Sequence, residues 1–219
     1  MSSLTRDETA RWLREHDHFL ILSHKRPDGD TIGSSAALCL GLRQLGKTAH
    51  VLRNMEVTEK YLHLHQGLTK DCPETGDTLI AVDTAAPQLL PEAYSHLAKF
   101  VRLRIDHHGS DTPFAPLQLV DPAAGACGEI IYDVLTEMGV TLDKPMAEAL
   151  YTAVSTDTGC FRYANTSAHT YRVAAACAET GANLYPITQE LFDTTSISEL
   201  KLQNWVVEHA HFLCGGRAA

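Results

Sequence analysis

The stretch Ile105-Asp106-His107-His108-Gly109 follows an apolar run, Phe100-Val-Arg-Leu-Arg-Ile105, in which apolar and basic residues alternate. Such alternation predicts a β-strand with one buried face. Three ionisable side chains therefore stand where a predicted strand ends. In parallel α/β sheets ligands bind at the carboxyl ends of the strands, so this position favours a functional site. A solvated turn closed by Gly109 explains the same residues about equally well.

Four further apolar runs predict strands, at residues 18–22, 48–52, 77–82 and 117–120, with helical spacing between and after them. The sequence therefore predicts an α/β fold with a mainly parallel five-stranded sheet flanked by helices, and a C-terminal helical segment. Thr5-Arg-Asp-Glu8 and Ser196-Ile-Ser-Glu199 have the spacing of capping boxes and predict helix starts. The last helix carries a stripe with Trp205, Val206 and His209, typical of a helix packed on a core.

The composition excludes several classes of protein. With 219 residues and 44% hydrophobic content, the chain can bury a large core, while its net charge of −9 argues against binding to long duplex nucleic acid. Its six cysteines form no Cys-x-x-Cys pair, which favours reduced thiols over disulfides or zinc thiolates. The sequence contains no apolar run of about 18 residues and no secretory signal, so we expect a cytoplasmic protein without membrane contact.

Polar side chains also follow two other predicted strands and end one predicted helix. These are His24, Asp28 and Asp30 on the loop at 23–34, Asp83 after the strand 77–82, and Asp157 near a helix C-terminus. Each alone has an ordinary explanation as a turn or capping residue. Together with Asp106, five aspartates in one place would repel one another and raise their pKa values, which two divalent cations would prevent. Carboxylates and imidazoles without thiolates suit harder metals such as Mn²⁺.

Four segments in order resemble the motifs of the DHH phosphoesterase family. They are Ser-His-Lys-Arg-Pro-Asp-Gly-Asp-Thr-Ile-Gly-Ser from Ser23, Val-Asp-Thr from Val82, Ile-Asp-His-His from Ile105 and Thr-Asp-Thr-Gly-Cys-Phe-Arg-Tyr from Thr156. The match extends from about residue 18 to the C-terminal helix. Within the family, Pro-Asp-Gly-Asp and Thr-Asp-Thr-Gly-x-Phe-Arg are most similar to one branch. Its members are bifunctional, acting both as nanoRNases (oligoribonucleases) and as pAp phosphatases.

The resemblance implies a two-metal site. One Mn²⁺ would be held by His24, Asp28 and Asp83, and the other by Asp30, Asp83, His107 and Asp157, with Asp83 as the bridge. Mg²⁺ and Co²⁺ are alternative metals. Three further residues are implied in catalysis: Asp106 would orient a ligand such as His107, and His108 would hold the scissile phosphate or protonate the leaving oxygen. Arg162 would add positive charge at the substrate phosphate.

The implied activity is Mn²⁺-dependent hydrolysis of short oligoribonucleotides, dinucleotides and 3′,5′-adenosine bisphosphate by a water activated between two metals. One alternative is an inorganic pyrophosphatase like those of family II, which usually carry Thr or Ser where Gly29 stands. Another is a fragment that binds metal or nucleotide with little turnover. A single-stranded nucleic acid binder is disfavoured by the acidic charge and the 7% aromatic content.

Two local departures from the family pattern concern hydrogen bonding. Asp111 replaces a usual Asn, and Ala126-Cys127 replaces a Ser or Thr pair. We expect residues 1–190 to form the catalytic domain. We expect residues 191–219 to form a helix and linker toward a second, substrate-binding domain whose Gly-Gly-Gly-His motif this sequence lacks. Whether the chain forms a homodimer is left open.

Overall fold

The computed structural model describes residues 2–109, 112 and 114–211. Its sheet contains seven strands in the order β1-β7-β6-β5-β2-β3-β4, and all neighbours are parallel. The strands are β1 Ser2–Ser3, β2 Phe19–Leu22, β3 Ala49–Leu52, β4 Thr69–Lys70, β5 Thr78–Val82, β6 Leu103–Asp106 and β7 Leu117–Val120. The five predicted strands are confirmed. The two additional strands have two residues each at the edges of the sheet, which is too short for a hydrophobic pattern.

Seven α-helices accompany this sheet within the described residues. They are α1 Arg6–Glu15, α2 Gly29–Gln44, α3 Cys127–Glu137, α4 Lys144–Asp157, α5 Ala168–Glu179, α6 Tyr185–Thr188 and α7 Ile197–His209. The capping boxes predicted at Thr5 and Ser196 are both present. None of the described helices combines the length and the apolar character that a membrane crossing requires.

Both faces of the sheet are buried, as is usual for parallel sheets. Phe19 and Ile21 of β2 belong to a large core that helices α1 to α4 cover, whereas Leu20 and Leu22 belong to a smaller core. The smaller core is covered by Leu90, by the 3₁₀ segment Glu92–Phe100 and by residues of the chain that follows it. Because successive strand residues point to opposite faces, both alternating sets are apolar.

The prediction that the strand before Asp106 buries only one face was wrong. All four residues of β6 are buried, including Arg104, whose side chain is 1% exposed. Arg104 can be buried because it pairs with the carboxylate of Asp106, two residues further along the same strand. It also donates a hydrogen bond to Gln118 of β7.

Helices α2 and α4 pack closely because glycine stands at their contact. A Cβ atom at Gly33 would lie 2.2 Å from the carbonyl oxygen of Ala149, and one at Gly29 would lie 2.4 Å from the Thr156 side chain. The close approach places the N-terminus of α2 beside the C-terminus of α4. It therefore brings the carboxylates of these two helix ends to one place.

Helix α7 does not pack on the core as its stripe predicted. None of its residues is buried, and Trp205 and Val206 are more than half exposed. Trp205 stacks instead on His209, one turn further along the same helix. The stripe correctly marks the apolar residues of the helix, but a sequence pattern does not specify which element covers them. Phe212 and Leu213, the end of the predicted helix, lie outside the described residues.

Candidate metal centre

The structure brings all six predicted metal ligands to the carboxyl edge of the sheet. His24 follows β2, Asp83 follows β5, His107 follows β6, Asp28 caps α2, Asp30 lies in its first turn and Asp157 ends α4. Three groups have ligand atoms within 4.8 Å of one another: His24 with Asp28 and Asp83, Asp83 with His107 and His108, and Asp30 with His107 and Asp157. The arrangement follows from the parallel sheet, since the carboxyl ends of its strands lie along one edge.

Asp83 stands between two of these groups and turns one oxygen to each. Its Oδ2 lies 3.8 Å from Nε2 of His24, and its Oδ1 lies 3.7 Å from Nε2 of His107. The residue has a φ of 51°, in the left-handed region that Asp tolerates better than most side chains. Within the described residues, Asp83 Oδ1 and His107 Nε2 are buried without a hydrogen-bond partner. A cation between them would satisfy both atoms.

The two histidines are held with the same ring nitrogen toward the carboxylates. Nδ1 of His24 lies 2.7 Å from the carbonyl oxygen of Lys25, and Nδ1 of His107 lies 3.2 Å from that of Ala124. A ring whose Nδ1–H donates to a carbonyl presents a lone pair at Nε2, as metal-binding histidines commonly do. Nε2 of His107 lies 3.4 Å from Asp157 Oδ2. The orientation of both rings therefore fits divalent cations.

The backbone of residues 124–128 holds one of the three groups. Asp30 accepts hydrogen bonds from the backbone N–H groups of Cys127 at 2.6 Å and Gly128 at 2.9 Å. The carbonyl oxygen of Ala124 contacts His107, as described above. Ser34 adds a third donor to Asp30 from its hydroxyl. None of these three bonds requires a hydroxyl at residue 126 or 127.

Asn165 connects this segment with the end of α4. Its side-chain amide donates to the carbonyl oxygen of Gly125 at 2.9 Å and to that of Asp157 at 3.1 Å. The sequence reasoning missed Asn165, although it closely follows the Thr-Asp-Thr-Gly motif. Hydrogen bonds from a side-chain amide to backbone carbonyl oxygens follow no fixed sequence spacing. No local sequence pattern therefore pointed to Asn165.

Burial and like charges raise the pKa values of two carboxyl groups. The pKa of Asp30 lies well above its usual range because the group is buried and faces the charges of Asp83 and Asp157. Burial, opposed by the nearby His107 and reinforced by Asp83, raises the pKa of Asp157 to about 6. The carboxylates therefore repel one another without a counter-charge, and bound divalent cations would reverse this unfavourable interaction.

Asp106 contacts His108 rather than His107, which differs from the expected arrangement. Its Oδ1 accepts from the backbone N–H of His108 at 2.9 Å and lies 2.9 Å from Nδ1 of the same residue. The hydrogen bond to Asp106, followed by the proximity of Asp83, raises the pKa of His108 to about 10. Burial acts to raise the pKa of Asp106, but the bonds from His108 and Arg104 lower it below its usual value.

Two other residues singled out in the sequence stay apart from these contacts. Nε of Arg162 donates to the carbonyl oxygen of Gly159 at 2.7 Å, and the residue is exposed. Among the described contacts, none joins Arg162 to the carboxylate and histidine groups. Its role toward a substrate stays a prediction. Asp111 lies outside the described residues.

Carboxylates and imidazoles at the carboxyl edge of a parallel sheet define an α/β protein with a candidate two-cation centre. Residues 18–154, most of the described sheet, match the N-terminal domain of the DHH family. The chain belongs to this family.

Curated relatives agree with the family match. The chain is 34% identical over 203 residues to a bifunctional oligoribonuclease and PAP phosphatase NrnA of Thermus thermophilus, covering 90% of this chain and 60% of the relative. A protein of the same name from Bacillus subtilis is 26% identical, with coverage of 97% and 68%. The chain thus spans less than two thirds of the length of the Thermus relative.

Solved structures show the same fold. An exopolyphosphatase-related protein from Bacteroides fragilis aligns with a TM-score of 0.76 and 24% identity, covering 93% of this chain and 64% of that one. A putative family II inorganic pyrophosphatase from Methanococcus jannaschii aligns with a TM-score of 0.59 and 19% identity, covering 78% and 59%. At these identities the likeness concerns the fold.

Proposed function

We propose that this chain is the catalytic domain of a Mn²⁺-dependent phosphoesterase that hydrolyses short oligoribonucleotides, dinucleotides and 3′,5′-adenosine bisphosphate. The observation that carries the proposal is the position of Asp83, whose two oxygens lie near the Nε2 atoms of two different histidines. A carboxylate in that position can bridge two cations. The names of the Thermus and Bacillus relatives support the choice of substrates.

His24, Asp28 and Asp83 would hold one cation, and Asp30, Asp83, His107 and Asp157 would hold the other. When bound, two divalent cations lower the pKa of a water molecule and neutralise charge on the phosphoryl oxygens. The chain itself supplies fixed ligand orientation through the carbonyl oxygens of Lys25 and Ala124. This orientation reduces the reorganisation that binding requires.

His108 is the residue best placed to act on the substrate. Its side chain is 52% exposed and lines a cavity of about 490 Å³ together with His24, Asp28 and Asp83. Hydrogen bonds to Asp106 and Asp83 raise the pKa of His108, which favours the protonated imidazole. It can therefore bind a phosphate oxygen and donate a proton to the leaving oxygen. We further propose Arg162 as a second phosphate contact, and the cytoplasm as the place of action.

The test is Mn²⁺-dependent hydrolysis of a di-adenylate, 3′,5′-adenosine bisphosphate and pyrophosphate by the wild-type chain and by Asp83→Ala. We expect turnover of both nucleotides, and its loss in Asp83→Ala at matched Mn²⁺ concentration. Asp193→Ala serves as a control, since Asp193 is exposed and distant in sequence from every ligand.

Three other outcomes would contradict parts of the proposal. Turnover of pyrophosphate alone would favour a pyrophosphatase, the activity in the name of the Methanococcus structure to which this chain is similar in fold. Mn²⁺ binding without turnover of any substrate would indicate a domain that needs further binding energy from elsewhere. Equal activity in Asp83→Ala would exclude Asp83 as a bridge between cations.

A further inference from the structure

The cavity beside the metal centre contains two basic residues that the proposed function leaves without a role. Besides His24, Asp28, Asp83 and His108, it is lined by Lys25 and Arg26. Its volume of about 490 Å³ lies in the range of small-ligand sites in proteins. Lys25 and Arg26 thus line the same cavity as four residues of the candidate metal centre.

The backbone of this turn is held in place on both sides. The N–H of Lys25 donates to the carbonyl oxygen of Leu89 at 2.6 Å, and the N–H of Arg26 donates to Glu56 Oε2 at 2.9 Å. The side chain of Asn54 donates to the carbonyl oxygen of His24 at 2.9 Å. Arg26 has a φ of 50°, which costs free energy in a non-glycine residue unless its surroundings fix it. The backbone from which both basic side chains extend is therefore held in place, while the side chain of Arg26 is exposed.

Neither basic side chain has a protein partner in the part of the chain that the structure describes. Lys25 and Arg26 take part in no ion pair or side-chain hydrogen bond there, although the chain is acidic overall. Nearby basic residues differ in this respect, because Arg53 pairs with Asp71 and Lys70 pairs with Asp77. Two positive charges that line a cavity without forming an ion pair provide an environment for an anion, although Asp28 and Asp83 line the same cavity.

We propose that Lys25 and Arg26 form a subsite for a second phosphate of the substrate, distinct from the phosphate that is hydrolysed. This inference rests on the proposed nucleotide phosphoesterase function. A nucleoside bisphosphate or a short oligonucleotide carries a phosphate beyond the one at the metal centre, whereas a nucleoside monophosphate does not. Arg and Lys are the side chains that proteins use most for phosphate, Arg through a planar fork of N–H groups. The subsite would therefore favour substrates with at least two phosphates.

The experiment compares substrates that differ by one phosphate. Hydrolysis of adenosine 3′,5′-bisphosphate and of adenosine 3′- and 5′-monophosphate is measured with the wild-type chain, Lys25→Ala, Arg26→Ala and the double variant. We expect KM for the bisphosphate to rise about tenfold in the double variant, the loss expected for a charged hydrogen bond, with kcat nearly unchanged. KM for any monophosphate that is hydrolysed should stay within about twofold. Arg26→Lys should retain part of the affinity.

A control variant tests whether the effect is specific to Lys25 and Arg26. Arg172→Ala removes an exposed positive charge from α5 and should leave every KM unchanged. An equal loss on mono- and bisphosphates would overturn the subsite, because it would place the two residues at the hydrolysed phosphate. So would an unchanged KM in the double variant.

Failure of the proposed function gives a different result. A wild-type chain that hydrolyses no nucleotide contradicts that function, and calorimetric titration of the Mn²⁺-loaded chain with the bisphosphate then tests the subsite alone. Binding that weakens in the double variant, but not in Arg172→Ala, supports it. No binding by the wild-type chain, or equal binding by the double variant, overturns it.

Discussion

The side-chain amide of Asn165 donates a hydrogen bond to the backbone carbonyl oxygen of Asp157, 3.1 Å away, and a second to that of Gly125. Asp157 ends α4, whereas Gly125 belongs to the segment whose backbone contacts His107 and Asp30. One exposed amide therefore connects all three members of the group Asp30, His107 and Asp157. Asn165 makes no described contact with the group His24, Asp28 and Asp83.

This relationship predicts a selective effect of Asn165→Ala on metal binding. Loss of the two hydrogen bonds should let Asp157 and the segment 124–128 move apart, so the affinity of one of two Mn²⁺ ions should fall about 10- to 100-fold. The other ion, at His24 and Asp28, should keep its affinity. Mn²⁺ titration followed by electron paramagnetic resonance distinguishes the two ions, and Asn183→Ala provides an exposed asparagine as control. Equal weakening of both ions would contradict the prediction.

Neutralising Asp83 should have opposite effects on the metal-free and the Mn²⁺-loaded protein. Asp83 is buried and its charge contributes to the raised pKa values of Asp30 and Asp157. Asp83→Asn removes this repulsion and keeps an acceptor for the Thr31 hydroxyl, which donates to Oδ2. We therefore expect a higher Tm than wild type in chelator and no increase in Tm on addition of Mn²⁺. Thermal unfolding with and without Mn²⁺ measures both, and a lower Tm in chelator would contradict the argument.

The pH dependence of stability should report the carboxyl group of Asp157. In the unfolded chain an aspartic acid ionises near pH 4, whereas burial raises the pKa of Asp157 to about 6 in the folded protein. Between these values the folded state binds the extra proton, so the stability of the metal-free protein falls as the pH rises through this window. Asp157→Asn should lack this loss. Mn²⁺ should restore stability in the wild type, and increasingly so toward pH 7.

A difference measurement is needed because the pKa values of Asp30 and His65 are shifted as well. Burial lowers the pKa of His65 to about 4, so its contribution to stability is lost as the pH falls below about 6.5. The two slopes oppose each other in the wild-type protein. Subtracting the free energy of unfolding of Asp157→Asn from that of the wild type at each pH removes the His65 contribution. A difference that does not change between pH 4 and pH 6 would contradict the raised pKa.

The parts of the fold that follow from chain-local patterns could be predicted from the sequence. Strand β2 is a run of four apolar residues, and the segment after it, up to the first turn of α2, contains His24, Asp28 and Asp30. The convergence of these residues with Asp83 follows from the rule for parallel sheets, because it depends only on where strands end. The location of the candidate site therefore follows from the sequence.

Specific side-chain contacts, whether between neighbouring or distant residues, could not be predicted in this way. The alternating pattern predicts that Arg104 faces solvent. Its burial depends instead on its contacts with Asp106 and with Gln118 of a neighbouring strand, which the pattern does not contain. The resemblance implied that Asp106 orients His107, but Asp106 contacts His108 instead. Which of the two adjacent histidines it contacts depends on side-chain geometry, which the sequence does not give. The backbone donors to Asp30 come from residues 127 and 128, almost 100 positions away. A periodic pattern contains no information about such pairs.

Gly33→Ala tests whether close packing of α2 on α4 is needed for the site. In an exposed helix this substitution would stabilise the protein by about 1 kcal/mol, since alanine favours helix more than glycine does. Here the new Cβ would lie 2.2 Å from the backbone oxygen of Ala149, which cannot rotate away. We therefore expect a loss of about 1–3 kcal/mol in urea unfolding and weaker Mn²⁺ binding as Asp30 and Asp157 separate. Gly41→Ala is the matched control, because its Cβ would meet the end of the Leu135 side chain, which can change rotamer. A smaller loss in Gly41→Ala with unchanged Mn²⁺ affinity would support the argument, whereas a stabilising Gly33→Ala would contradict it.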